Sequence, residues 1–301
     1  MWAGAVLVAF GVFYWRRTQG ELESQKAVLF AQQRGVVAEL GPKIEPFQRR
    51  IEDWVVDAAS RPFDGDAVSA AARSSDFASQ PGVYLRLRSV DATDAKKLRR
   101  AANDSLRDGF TSCLFHAKNP DPLAGPSCQA TRQCPSGTFC NETDHCSPAA
   151  QPYNMRAVYR GTRVLSDEWT LGLRTAGDDM KMRLLQREFE TAVRDDVPLA
   201  VDLLTRAQFF LLVLDEAPPD QKAPLPLEDL QAVPHPARVF LWSLKGGQEP
   251  LLRLRRQVNG KFVAAGEMAP TDPSVLAAEQ RQVNSCQLAL EVRAELESSG
   301  G

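Results

Sequence analysis

Val83-Tyr-Leu-Arg-Leu-Arg-Ser-Val90 sets the fold class. Val83, Leu85 and Leu87 fall on one side of an extended chain, with Tyr84, Arg86 and Arg88 on the other. That is the period of a strand with one buried and one solvated face. Reading outward, Asp91 or Thr93 can cap a helix that runs to Leu106 and ends at Asp108-Gly109. Phe110–His116 reads as a second strand and Met155–Leu165 as a third. Ser166-Asp167-Glu168 starts a helix whose apolar positions, from Trp169 to Val193, recur with helical period as far as Arg194. Pro198 opens a short helix, Leu199–Arg206, that leads into the apolar strand Phe209–Leu214. After the Pro-rich connection Ala217–Pro236, Arg238–Leu244 and Leu251–Val258 flank Lys245-Gly246-Gly247-Gln248, a hairpin signal. A turn at Asn259-Gly260 precedes a strand Lys261–Ala265. The last helix begins at Asp272-Pro273, with Leu276, Val283, Cys286 and Leu290 on one face. The expectation is an α+β fold, a mostly antiparallel sheet packed with helices.

The amino-terminal third reads differently. Trp2–Trp15 is apolar and is followed by Arg16-Arg17. As a helix it measures about 21 Å against about 30 Å of hydrocarbon, short for a span. Its flanking aromatics suit an interface, and residues 1–18 are expected to form a membrane helix that anchors the chain. Residues 19–82 are expected to be a helical stalk and linker. Leu22, Leu29 and Val36 recur every seven residues, with Lys26 and Gln33 at the other seam position. Gly41-Pro42 should interrupt this helix. Ile44, Phe47, Ile51, Trp54, Val55 and Ala58 then mark one buried helical face, and Arg61–Gly82 reads as a loop. The α+β domain is expected in two parts, 83–116 and 155–301, with 117–154 inserted between them as a cysteine-rich module.

Four of the six cysteines sit in that module at equal spacing, Cys128-x5-Cys134-x5-Cys140-x5-Cys146. So short a stretch has too few apolar side chains for a core and needs covalent staples. Zinc sites favour Cys pairs two to four residues apart, so the spacing favours disulfides and no metal is expected. Three connectivities are open within the module. The remaining two, Cys113 and Cys286, are expected to pair with each other and join the end of the fold to its middle. Cys134-Pro-Ser-Gly-Thr-Phe-Cys140, within C-x5-C-P-x-G-x-x-C-x5-C, resembles short cysteine-rich segments of secreted proteins, including the amino-terminal segment of the Dickkopf family. That resemblance covers Cys128–Cys146 alone and implies a small extracellular disulfide knot used in protein contacts.

Chemistry is sparse. Net charge is −2, with 27 arginines against 9 lysines, so a broad nucleic-acid footprint is not expected. No nucleophile elbow, phosphate-cradling glycine loop or paired-histidine metal motif occurs, and neither catalytic residues nor cofactors are assigned. His116, His145 and His235 read as surface or loop residues. Asp178-Asp179 and Asp195-Asp196 read as solvated faces or turns, and Asp215-Glu216 is the acid pair best placed at a strand end. The N-glycosylation patterns at Asn141 and Asn103 matter only in a eukaryotic secretory host. Arg86, Arg88, Arg253 and Arg255 take the polar phase of two strands and, were those strands neighbours, would form an anion-binding stripe.

These features predict a membrane-anchored protein whose main domain is periplasmic or extracellular. Its expected role is interaction or scaffolding with an envelope protein partner. The alternative is a ligand-binding sensor, because an anchor, a long helix and a sheet resemble the layout of Cache-type extracytoplasmic sensors. An envelope hydrolase is a third class with no motif behind it. A closed polar pocket on the sheet would favour the sensor and a flat sheet face the interaction protein.

Overall fold

A computed structural model describes residues 2–77, 80–105, 108–115, 126–135, 138–140, 144–148, 152–219, 221, 224–261 and 272–298, with side chains from residue 20 onward except at 131, 138, 139, 147 and 148. His116, Asn141 and all but the first residue of the expected strand 261–265 lie outside the described residues.

The chain begins with α1 (Trp2–Ser60), a single helix of 59 residues. It runs through Pro42 and Pro46 without the expected interruption. Each proline removes one backbone donor, leaving the carbonyls of Ala38 and Pro42 unpaired. Residues 38, 42 and 46 are all exposed, so water can take the place of the missing donors. From Leu22 onward the helix is no free stalk. Leu22, Leu29, Ile44, Ile51, Trp54 and Val55 are buried in the main core. The polar seam residues are accommodated by carbonyls, Lys26 Nζ donating to Arg174 O and Gln33 Nε2 to Val164 O. The expected membrane helix is corrected here: among the described residues no helix is long and apolar enough to cross a membrane. The apolar run stops at Arg16-Arg17 and continues into the polar remainder of the same helix.

Beyond α1, residues 61–82 contain β1 (Ala67–Val68) and α2 (Ala70–Ser74). β2 (Gly82–Arg88) follows, then α3 (Ala95–Asp104) and α4 (Phe110–Phe115). Asp94 caps α3, its carboxylate accepting from Lys97 N at 2.9 Å. The small hairpin β3 (Thr138–Cys140) and β4 (Cys146–Pro148) belongs to the cysteine module, and β5 (Tyr153–Asn154) returns the chain to the body. Then come α5 (Arg156–Thr162), α6 (Asp167–Arg174), α7 (Asp179–Thr191) and α8 (Val197–Arg206). β6 (Phe209–Asp215), α9 (Leu227–Ala232), β7 (His235–Ser243), β8 (Leu252–Val258) and α10 (Pro273–Glu297) complete the order.

Two expected strands are helices. Phe110–Phe115 forms α4 and Met155–Leu165 forms α5 with a 3-10 turn, so the module is flanked by a helix on one side and β5–α5 on the other. The expected helix 166–194 is two helices. Ser166 caps α6 as read, but Asp178, after Gly177, caps a new start by accepting from Lys181 N at 2.7 Å. Between α7 and α8 the backbone widens into a π turn at Ala192–Asp196.

The main sheet has six strands in the order β1-β8-β7-β6-β2-β5. It is mixed rather than mostly antiparallel: β2 pairs in parallel with both β5 and β6, and the other pairs are antiparallel. The reason is the long helical passage between β2 and β6, which returns the chain to the same end of the sheet. Helices cover both faces. Val83, Leu85, Leu87, Phe210, Leu212, Leu214, Phe240 and Trp242 share one core with α1, α5 and α8, where Trp54 stacks on Trp242 at 5.4 Å. Tyr84, Leu211, Val213, Val239 and Leu254 share the other with α4 and α10. β2 is therefore a central strand buried on both faces, not a half-solvated one. Gly82 is needed where β2 meets β6, since a Cβ there would lie 2.2 Å from the Phe209 ring.

Candidate functional site

Strand alternation places Tyr84, Arg86, Asp215 and His235 on the sheet face beneath α10, and they meet there in a buried polar cluster. Arg86 is 1% exposed. Its Nε and Nη2 donate to the two oxygens of Asp215 at 2.8 and 2.9 Å. Nη1 donates to Asp108 Oδ2 at 3.1 Å and to Ser285 Oγ of α10 at 2.9 Å. Tyr84 OH donates to the same Asp108 oxygen at 2.8 Å. His235 Nε2 lies 2.9 Å from Asp215 Oδ1, while Nδ1 lies 2.7 Å from Val233 O. The ring thus bridges the carboxylate of β6 and the backbone just before β7.

Burial alone would raise the Asp215 carboxyl, but the Arg86 charge and the hydrogen bonds from His235 and Arg86 outweigh it and hold it well below the usual carboxylate range. Burial likewise opposes charge on Arg86, and Asp215 and Asp108 overcome that opposition, so the guanidinium stays protonated. Tyr84 is pushed well up, first by burial and then by the Asp108 charge, and stays a neutral donor. The cluster is internally satisfied. Charges this deep, paired and hydrogen-bonded, position elements rather than bind from solvent. The recess at the strand ends above Asp215 holds only about 20 Å³.

The expected arginine stripe is therefore corrected. β2 and β8 are separated by β6 and β7. Register then puts Arg86 in line with Val213, Val239 and Leu254 on one face, while Arg253 and Arg255 oppose Phe240 and Arg238 on the other. Each has its own partner. Arg88 is held by both oxygens of Asp91 and by Leu225 O. Arg253 donates to Asp64 and Gly65 O, each at 2.8 Å, and Arg255 pairs with Glu216 at 2.8 Å. Glu216 also takes Arg238, whose Nη1 donates to Ala58 O and Arg61 O at the end of α1. Asp215 and Glu216 thus point to opposite sides of the sheet and do not act as a pair.

The six cysteines fall into three pairs at disulfide distance, and none of the six is free. Cys113 of α4 meets Cys286 of α10, Cα–Cα 5.1 Å. Cys113 stands on a helix rather than a strand, and Cys286 on the margin of the α10 face. The buried positions there are Asn284, Ser285, Leu288, Ala289 and Val292, while Leu290 is 51% exposed. Within the module Cys128 meets Cys140 and Cys134 meets Cys146, Cα–Cα 5.8 and 5.4 Å. Cys140 and Cys146 oppose each other across the β3–β4 hairpin. Asp144 takes the left-handed conformation (φ 57°) between them, which an Asx side chain tolerates. Cys128 N donates to Asp144 O and Cys146 N to Pro126 O, both at 2.8 Å. The sulfurs of Cys128, Cys134 and Cys146 lie within 4.8 Å of one another, as interleaved bridges require. Arg132 ties the module to the body through Asp195 at 3.3 Å.

Recesses lie around the sheet rather than on it. One of about 800 Å³ between the end of α1 and β7 has the aromatic rings Trp54, Phe63, Phe240 and Trp242. Most of its charges are spent internally, as in Arg61–Asp57 and Arg253–Asp64. Two others meet beside the module. The first, about 680 Å³, is lined by Arg100, Arg163 and Arg187 with Leu184, and the second, about 460 Å³, by Tyr84, Thr111, Ser112 and Arg156. Arg160 and Asp196 line both, so the two form one trough along α5. Reading the residues in order missed this site. Asp195-Asp196 was visible as an acid pair, but the π turn that separates the two side chains, one to Arg132 and one to the trough, has no local signature.

Comparison with known proteins finds no matching family model, no matching curated protein and no matching solved structure, so the cysteine spacing is that of a disulfide-rich segment and assigns no family.

Proposed function

We propose that this chain is an extracytoplasmic interaction or scaffold protein of the cell envelope, contacting a protein partner through its cysteine module. The observation that carries this reading is the module's construction. Two interleaved cysteine pairs hold a short segment with little core, and Arg132 orients it on the body through Asp195. Paired cysteines belong to oxidising compartments, and small modules without cores serve as rigid contact surfaces. The sheet supports the same choice, because its buried Arg86, Asp215 and His235 pair with one another. The test is a photoreactive residue at the exposed Gln129 of the module, with another at Leu290 of α10 as control. A discrete adduct from Gln129 alone, lost when Cys128 and Cys134 become Ser, supports the reading. Absence of that adduct, or recovery of four reduced module thiols holding a metal ion, would overturn it.

A ligand-binding sensor is the second reading, and the 460 Å³ recess beside Tyr84 favours it. Its size falls in the range of small-molecule sites.

A further inference from the structure

The recess between α4, α5 and the π turn carries charges of both signs that the protein leaves unused. Asp108 and Tyr84, on its inner wall, are saturated by the buried cluster. The outer charges are not. Arg160 and Asp196 make no side-chain hydrogen bond or ion pair among the described residues, with each other or with any other group, although both line the same recess. Arg156 spends Nη1 on Ser105 O at 3.1 Å, leaving its buried Nε without a partner. Thr111 and Ser112 add hydroxyls on the α4 side.

Backbone packing fixes the two segments that carry Arg160 and Asp196. A Cβ on Gly161, next to Arg160, would lie 2.9 Å from Asp196 O, so α5 rests directly on the π turn that presents Asp196. Interruptions of this kind recur at functional sites in helices. The Asp196 carboxyl, exposed at its tip, is raised, first by partial loss of water around it and then by the neighbouring Asp195 charge. A cation placed against it would relieve both effects.

We propose that this recess binds a small zwitterion, its carboxylate held by Arg156 and Arg160 and its cationic nitrogen by Asp196. The proposal rests on the second reading above and names the ligand class for it. A phosphate or other simple anion suited to the arginines would meet Asp196, and a simple cation suited to Asp196 would meet Arg160. A molecule with both charges on one short carbon frame satisfies the two together, and charge-assisted hydrogen bonds at both ends supply affinity and orientation.

The experiment is calorimetric titration and thermal denaturation of the full chain at millimolar leucine, γ-aminobutyrate and glycine betaine. Propionate and propylamine serve as single-charge controls. At least one zwitterion is expected to bind and raise Tm where neither control does. Arg160→Gln and Asp196→Asn should each weaken that binding roughly tenfold or more. Arg183→Gln, on the exposed side of α7, should leave it unchanged. Arg160 and Asp196 are exposed, so both variants should fold; Arg156→Lys, which keeps charge but not the fork, gives an independent check. Equal stabilisation by a control would overturn the ligand class while leaving the recess a binding site. Silence from all five compounds, or binding indifferent to both substitutions, would overturn the site and the sensor reading while the module's photo-adducts stand apart.

Discussion

Arg86 holds two carboxylates at once, and removing it takes the guanidinium from both. Replacement by Met leaves Asp215, which is 0% exposed, without its guanidinium. Breaking one side of a buried pair in this way costs about 3–5 kcal/mol, measurable as a fall in the urea midpoint. The same cluster sets the acid limit. Asp215 has its folded pKa below the unfolded value of about 3.9. Its contribution is thus complete above that value and is lost as pH falls through it toward the folded one. Urea resistance of the wild-type chain should drop as pH falls below about 4, and Asp215→Asn, already weaker at neutral pH, should show a shallower drop. An acid limit unaffected by that substitution would assign the titration to other carboxylates. None of this was legible in Val83–Val90. Alternation identified the strand, but polar phase in sequence does not mean solvent in space. The partners that make Arg86 an interior residue lie 22 and 129 positions away.

At the scale of elements, Gly161 marks a joint where one backbone packs directly on another. Gly161→Ala drives a methyl group toward the Asp196 backbone, which cannot rotate aside as a side chain could. An overpacked contact of this kind costs about 1–3 kcal/mol and should also disturb the trough, so Tm and zwitterion binding should fall together. The Cys113–Cys286 pair joins α4 to α10 across a separation of 173 residues. Cys286→Ser should lower stability by about 2–4 kcal/mol, read from denaturant curves under oxidising conditions. Short elements were the least legible. Phe110-Thr-Ser-Cys-Leu-Phe115 offers less than two helical turns, and only its packing on α10 shows that Phe110 and Leu114 share a face. Met155–Leu165 has the valines and Tyr159 of a strand, yet Thr162 Oγ1 donates to Val158 O within a helix. The longer patterns survived better, because a repeat such as Leu22, Leu29 and Ile44, Ile51 averages over single exceptions. Pro42 misled because its cost is small where the freed carbonyl faces water.

For the whole molecule, the two cysteine systems have separate duties. One spans the body and the other closes a segment that touches it through Arg132 and Asp195. Ser at Cys128, Cys134, Cys140 and Cys146 should therefore leave the Tm of the body within about 4 °C of wild type, while the module itself becomes open to protease. A large fall in Tm would mean that the module is part of the core. α10 supplies Ser285 to Arg86, Asn284 to Gln231 O, and Leu288, Ala289 and Val292 to the sheet. It is the last described element to be synthesised. A nascent chain that has not yet added residues 273–297 leaves its central ion pair facing water and its Cys113 thiol waiting. Closure of the body then waits on one late segment, and a ribosome stalled before residue 273 would hold an open, protease-sensitive chain.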